Sequence, residues 1–168
     1  MDKFYEYLKL CFFNVWLEDL PKSVGLLRSA LVIYVISEFF IQINIGGDPI
    51  QAFLETVVET LLTFVFVVLM LMVAKKTHFF LQTYTSFIIT ENLLFISVSP
   101  ILFWIDLIND LLTPYFAITV ISILVIWCLA ILSFVIRQIF VISKFASVLL
   151  ALSYLAVTYV GTYTLLSD

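Results

Sequence analysis

Hydrophobic positions fill long runs of this chain, and the polar positions gather into a few short breaks. The clearest run follows Asp48-Pro49: no charge occurs from Thr60 to Ala74, and Lys75-Lys76 ends it. That charge-free stretch covers about 22 Å of helix, and its flanking turns bring the total to bilayer thickness. Asp48 suits an N-cap and Pro49 the first helical position. Runs of the same kind at about 26–45, 50–74, 79–99, 114–136 and 145–166 predict five transmembrane helices. The breaks between them are Leu20-Pro21-Lys22-Ser23, Gly46-Gly47-Asp48-Pro49, Lys75 to His78, Thr113-Pro114 and Arg137 to Lys144. Pro100 is expected to end or kink the third helix.

Two stretches read differently. Residues 2–19 hold too many charges to cross a bilayer, yet Phe4, Leu8, Cys11, Phe12, Val15 and Trp16 recur at helical spacing. This predicts an amphipathic interfacial helix within residues 1–22, with Phe4, Leu8, Phe12 and Trp16 as membrane-surface anchors; a docking helix for a partner protein is the alternative. Residues 101–112, ILFWIDLINDLL, place Asp106, Asn109 and Asp110 on one helical face and predict a second, outer interfacial helix. Residues 23–168 then form one five-span domain, with no internal repeat or linker. Charges at Asp2, Lys3, Glu6 and Lys9 do not fit a cleavable signal peptide, so the first span is expected to act as its own insertion signal.

Composition supports the pattern. The chain is 64% hydrophobic and 12% charged, with seventeen phenylalanines and eight tyrosines, and a mean hydropathy of +1.19. A soluble core of this size cannot hide that much apolar surface, so the expected class is an all-α integral membrane protein in contact with a lipid bilayer. A net charge of −4 without a basic patch excludes nucleic acid as a partner.

Charge also orients the chain. In the five-span layout Lys3, Lys9, Lys22, Arg28, Lys75, Lys76, Arg137 and Lys144 all fall on one side. Asp48, Asp106, Asp110 and Asp168 fall on the other. The positive-inside rule then puts the amino terminus in the cytoplasm and the carboxyl terminus outside, with a bacterial inner membrane or a eukaryotic endomembrane as the setting.

Three glutamates, Glu38, Glu59 and Glu91, lie inside spans, where a charge costs at least ~2.5–3.5 kcal/mol. As a functional set they make an intramembrane polar or ion site, a carboxylate-lined path for protons or cations. As structural groups they are carboxylic acids bonded to hydroxyls such as Tyr34, Thr63 or Thr90. Thr83, Ser86, Thr90 and Ser97 form a polar stripe on the third span. Ser143, Ser147 and Ala151 form a small-residue row leading into the fifth. Both rows suit close helix packing, within the bundle or between subunits.

Other chemistry has little support. His78 is the one histidine, and Cys11 and Cys128 are isolated in apolar surroundings, so neither a metal site nor a cofactor is expected. Asp106 and Asp110 suit a hard cation or, more simply, a solvated polar face. No HExxH, GxSxG, GxxxxGK[ST] or GxGxxG occurs, and the chain is expected not to be an enzyme.

The entry segment DLPKSVGLLRSALVIYVI at Asp19–Ile36, with five closely spaced spans, resembles the small Yip-domain membrane proteins. The sequence shows no DLYGP-type motif or long amino-terminal region like those of the eukaryotic members, so their association with small GTPases does not carry over, and the resemblance implies a non-enzymatic membrane protein. The function expected on these grounds is an accessory or scaffold component of a membrane assembly, self-associating or joined to other subunits through helix contacts. The alternative is a small proton- or cation-coupled transporter or channel that uses the intramembrane glutamates.

Overall fold

The computed structural model describes residues 2–107 and 113–166. Among these, α1 spans Asp2–Cys11, α2 Val24–Gly46, α3 Pro49–Val73, α4 Phe80–Leu107, α5 Thr113–Phe140, α6 Lys144–Leu155 and α7 Gly161–Leu166, with no strand. A π-helical turn, Ala156–Val160, joins α6 to α7 so that the two cross as one unit. Five of the resulting segments are long and apolar enough to span a membrane: Val24–Asn44, Pro49–Val73, Thr77–Leu102, Tyr115–Phe140 and Lys144–Leu166. The protein is an all-α integral membrane protein with five spans.

Local chemistry explains the ends. The Ser23 side chain accepts a hydrogen bond from the Leu26 amide and starts α2. Asp48 does the same for α3 through the Ile50 amide at 2.9 Å, with Pro49 behind it. Between them Gly47, at φ 73°, closes α2 in the left-handed region and reverses the chain within two residues.

The helices form a ring. α4 packs between α2 and α5, α3 packs on α2, α6 on α5, and the π turn with α7 packs back on α3. From Gln82 to Asn92, α4 is buried at every position, because the ring covers one side and α1 the other. Lys22, Arg28, Lys75, Lys76, Arg137 and Lys144 sit at or toward one end of the spans, hereafter the basic end; the α2–α3 turn marks the opposite end.

The inward faces are polar or small, and the outward faces apolar. On α3, Ala52, Thr56, Glu59, Thr63, Val67 and Met70 are buried, while Phe53, Leu61 and Leu69 are exposed. On the last span Ser147, Ala151, Tyr154, Thr158 and Thr162 are buried, while Leu149, Leu152, Val157 and Val160 are exposed. Lipid solvates apolar side chains as well as a protein core does, so close approach and hydrogen bonding decide which residues turn inward.

Several expectations need correction. α4 does not stop at Pro100 but runs through it to Leu107. A proline removes one amide donor, and a membrane helix tolerates that loss where neighbouring structure holds it. Residues 101–107 thus continue the third span's helix and do not begin a separate interfacial helix; Asn109 and Asp110 lie outside the described residues. The fourth span's helix, α5, continues past residue 136 to Phe140. The first helix ends at Cys11, and Phe13 sits at φ 62°. Its buried positions are Tyr7, Leu10 and Cys11, while Phe4, Phe12 and Trp16 stay 45%, 63% and 60% exposed.

The amino-terminal segment is fastened to the bundle by hydrogen bonds. The Tyr7 hydroxyl donates to the Pro21 carbonyl at 3.1 Å. Gln82 donates to the Leu20 carbonyl at 3.2 Å, and Gln138 accepts from the Leu17 amide. Phe12 packs on Trp127 and Phe13 on Phe134 of α5. Phe4 lines a common groove with Ala30 and Ile33 of α2. The segment therefore crosses α4 from the α2 side to the α5 side.

Candidate functional site

Glu38, Glu59 and Glu91 come from α2, α3 and α4, and all three are at least 97% buried, with exposures of 1%, 3% and 2%. Helical rise puts Glu38 about 12 Å and Glu59 about 15 Å along their helices from the α2–α3 turn. The ring brings them together. The Glu38 and Glu59 carboxyls face each other within hydrogen-bonding reach. Gln42, one turn along α2 from Glu38, donates to Glu38 Oε1 at 2.7 Å and, more weakly, to Glu59 Oε1 at 3.4 Å.

Glu91 forms the second half. Its Oε1 accepts a hydrogen bond from the Tyr154 hydroxyl of α6. That hydroxyl also meets Thr63 Oγ1 of α3 at 3.0 Å. The Tyr34 hydroxyl of α2 faces the same carboxyl. Four helices thus contribute to one polar cluster in the interior of the ring.

Satisfaction within the cluster is incomplete. Glu38 Oε2 and Glu91 Oε2 are buried and accept no hydrogen bond. Two carboxyls hydrogen-bond to each other only when one of them carries a proton. No basic side chain offsets the three acids: the one ion pair among the described residues is Lys9–Glu6 on α1.

The surroundings differ on the two sides of the cluster. Toward the α2–α3 turn, polar groups continue one turn further along α3, where Gln51 donates to Glu55 at 2.8 Å on the surface. Toward the basic end, Phe87, Val67 and Leu71 are 0%, 0% and 1% exposed and close the interior with apolar side chains. The Tyr154 ring is gripped by Phe87 and Phe66 at centroid distances of 5.0 and 5.1 Å. Polar groups thus continue from the cluster on one side, and apolar side chains close the other.

Other residues singled out in the sequence lie elsewhere. Thr83, Ser86 and Thr90 are buried, but Ser86 sits roughly 140° around α4 from Glu91 at ~100° per residue. Ser86 and Thr90 bond to the backbone one turn back, at 2.7 Å each. Thr90 therefore serves no glutamate, and it faces the Cys11 thiol of α1. Ser97 is half-buried on the same helix. Ser143 caps α6, Ser147 bonds to Ser133 at 2.8 Å, and Ala151 is fully buried, so that row joins α6 to α5. Leu8 is half-buried on α1.

Two members of the cluster, Gln42 and Tyr154, were not among the sequence candidates. The buried series Ser147, Ala151, Tyr154, Thr158, Thr162, spaced by three or four, is the signal that marks Tyr154 as inward.

The fold and site define a five-span membrane protein built around a buried carboxyl cluster. Comparison with known proteins matched no family model, no curated protein and no solved structure.

Proposed function

We propose that this chain is a small proton- or cation-coupled membrane transporter or channel, with Glu38, Glu59 and Glu91 as its ion-handling groups. The observation that carries the reading is convergence: three glutamates on three helices meet in one buried cluster. Polar packing alone does not require acids, since Ser, Thr and Gln hold helices together at a lower insertion cost. Here two carboxyl oxygens remain open after Tyr154 and Gln42 have donated.

In this reading the Glu38–Glu59 pair loads from the side of the α2–α3 turn, and Glu91 is the inner group. Tyr154 orients Glu91, and Phe87 with Val67 closes the way to the basic end. With the positive-inside rule, that basic end is cytoplasmic and loading occurs from outside. The accessory-scaffold reading draws less support, because the Ser147–Ala151 row is spent on contacts within one chain.

Flux in reconstituted liposomes tests the proposal. The protein should move protons or a monovalent cation, and Glu91→Gln should reduce that flux at least tenfold. Wild-type flux no greater than in protein-free liposomes overturns the transport reading and leaves the scaffold.

A further inference from the structure

A second feature lies at the basic end, remote from the carboxyls. The turn between α5 and α6 borders two adjoining clefts of about 440 and 400 Å³, which share Trp16, Gln138 and Val141. Glu18 and Asp19 line the first, beside Lys76. The second is lined by Arg137, Ser143 and Lys144 and by no acidic residue.

This second cleft gathers donors. Arg137 and Lys144 form no ion pair among the described residues, although the chain has twelve acidic residues to eight basic ones. The Arg137 guanidinium is steadied 6.0 Å over the Phe134 ring. Gln138 uses its carbonyl to hold the Leu17 amide, and its Nε2 is buried without an acceptor. Two unpaired cations and an unused amide donor thus border one opening of suitable size for a phosphate.

The position selects the kind of phosphate. One span ends at Phe140 and the next begins at Lys144, so the cleft sits at the membrane boundary. Val141 and Phe145 are 83% and 74% exposed beside it, an apolar continuation along which acyl chains can lie. Trp16, 60% exposed, forms the other wall at the depth where indole rings favour headgroups.

We propose that this cleft binds the phosphate of an anionic phospholipid headgroup. Arg137 and Lys144 neutralise it, Gln138 Nε2 donates to it, and Trp16 covers it. The site joins the amino-terminal segment to α5 and α6, so an occupied cleft ties that segment to the bundle.

Native mass spectrometry of the full chain, released from vesicles with equal parts of phosphatidylglycerol and phosphatidylcholine, tests the proposal. Phosphatidylglycerol should be retained over phosphatidylcholine by roughly tenfold. The Arg137→Gln/Lys144→Gln pair should bring that ratio near one. Lys22→Gln/Lys75→Gln, at the same end outside the cleft, should leave it high. Equal retention of the two lipids by the wild type overturns the proposal and needs no variant to fold. An unchanged ratio in the Arg137/Lys144 variant, or an equal loss in the Lys22/Lys75 variant, also overturns it. Added inorganic phosphate should leave the lipid in place; displacement of the lipid would assign the cleft to free phosphate and overturn the lipid reading.

Discussion

The Tyr154 hydroxyl joins Glu91 of α4 to Thr63 of α3 from a third helix. Removing it leaves two buried polar groups short of a partner, so Tyr154→Phe should lower stability by about 1–3 kcal/mol. The midpoint of unfolding in mixed detergent reads that loss. Outside the spans, burial pushes the Cys11 thiol up to about 11 from an ordinary value of 9.0, and Tyr7 up to about 12. At pH 8 Cys11 should therefore react with a thiol reagent at least about 100-fold more slowly than an exposed cysteine. The sign for stability follows from proton binding. Between pH 9 and 11 the unfolded chain gives up the Cys11 proton while the folded chain keeps it, so stability is full below pH 9 and falls as pH rises toward 11. Tyr7 extends the fall toward pH 12. At this scale the three glutamates were legible in the sequence, because an acid inside an apolar run needs a reason. Gln42 and Tyr154 were not, since one glutamine or tyrosine in a span carries no such cost and only the folded ring aims it at a carboxyl.

At the scale of elements, Gly47 is the residue on which the α2–α3 hairpin turns, and with it the approach of Glu38 to Glu59. A Cβ at Gly47 would meet nothing within 4 Å, so the strain of Gly47→Ala is in the backbone, at φ +73°. The substitution should cost about 1–2 kcal/mol, read by thermal unfolding, while Gly25→Ala, within α2 and equally open, should be neutral or stabilising. The five spans were legible to within a few residues, because apolar runs and capping residues set them. α5 outruns its apolar stretch, since Arg137 and Gln138 end the hydrophobic pattern without ending the hydrogen-bond ladder. The first helix divides its apolar residues: Tyr7, Leu10 and Cys11 pack on the bundle, while Phe4, Phe12 and Trp16, expected as membrane-surface anchors, stay exposed, and the helix ends at Cys11, short of the expected length. Beside lipid, a hydrophobic stripe names the outward side as readily as the inward one.

The whole molecule is polarised along its axis. Lys22, Arg28, Lys75, Lys76, Arg137 and Lys144 lie toward one end, and Gln42, Glu55 and Gln51 continue the polar groups from the carboxyl cluster toward the other. If the basic end is cytoplasmic, a cysteine introduced at Asp48 should react with an impermeant reagent added outside cells, and one introduced at Lys75 only after the membrane is opened. The reverse labelling would invert the direction of loading proposed above and leave the cluster unchanged. The class and the five spans were open to a reader of the sequence because the solvent imposes them. The site was open only in part, because three acids on three helices meet or miss according to how the ring closes. The most direct measurement is flux of protons and monovalent cations through the reconstituted protein, with Glu38→Gln, Glu59→Gln and Glu91→Gln compared with Glu18→Gln, exposed at the basic end, in the same liposomes. The account predicts a loss of at least tenfold in the three buried variants and near wild-type flux in the surface one; equal flux in all four would contradict it.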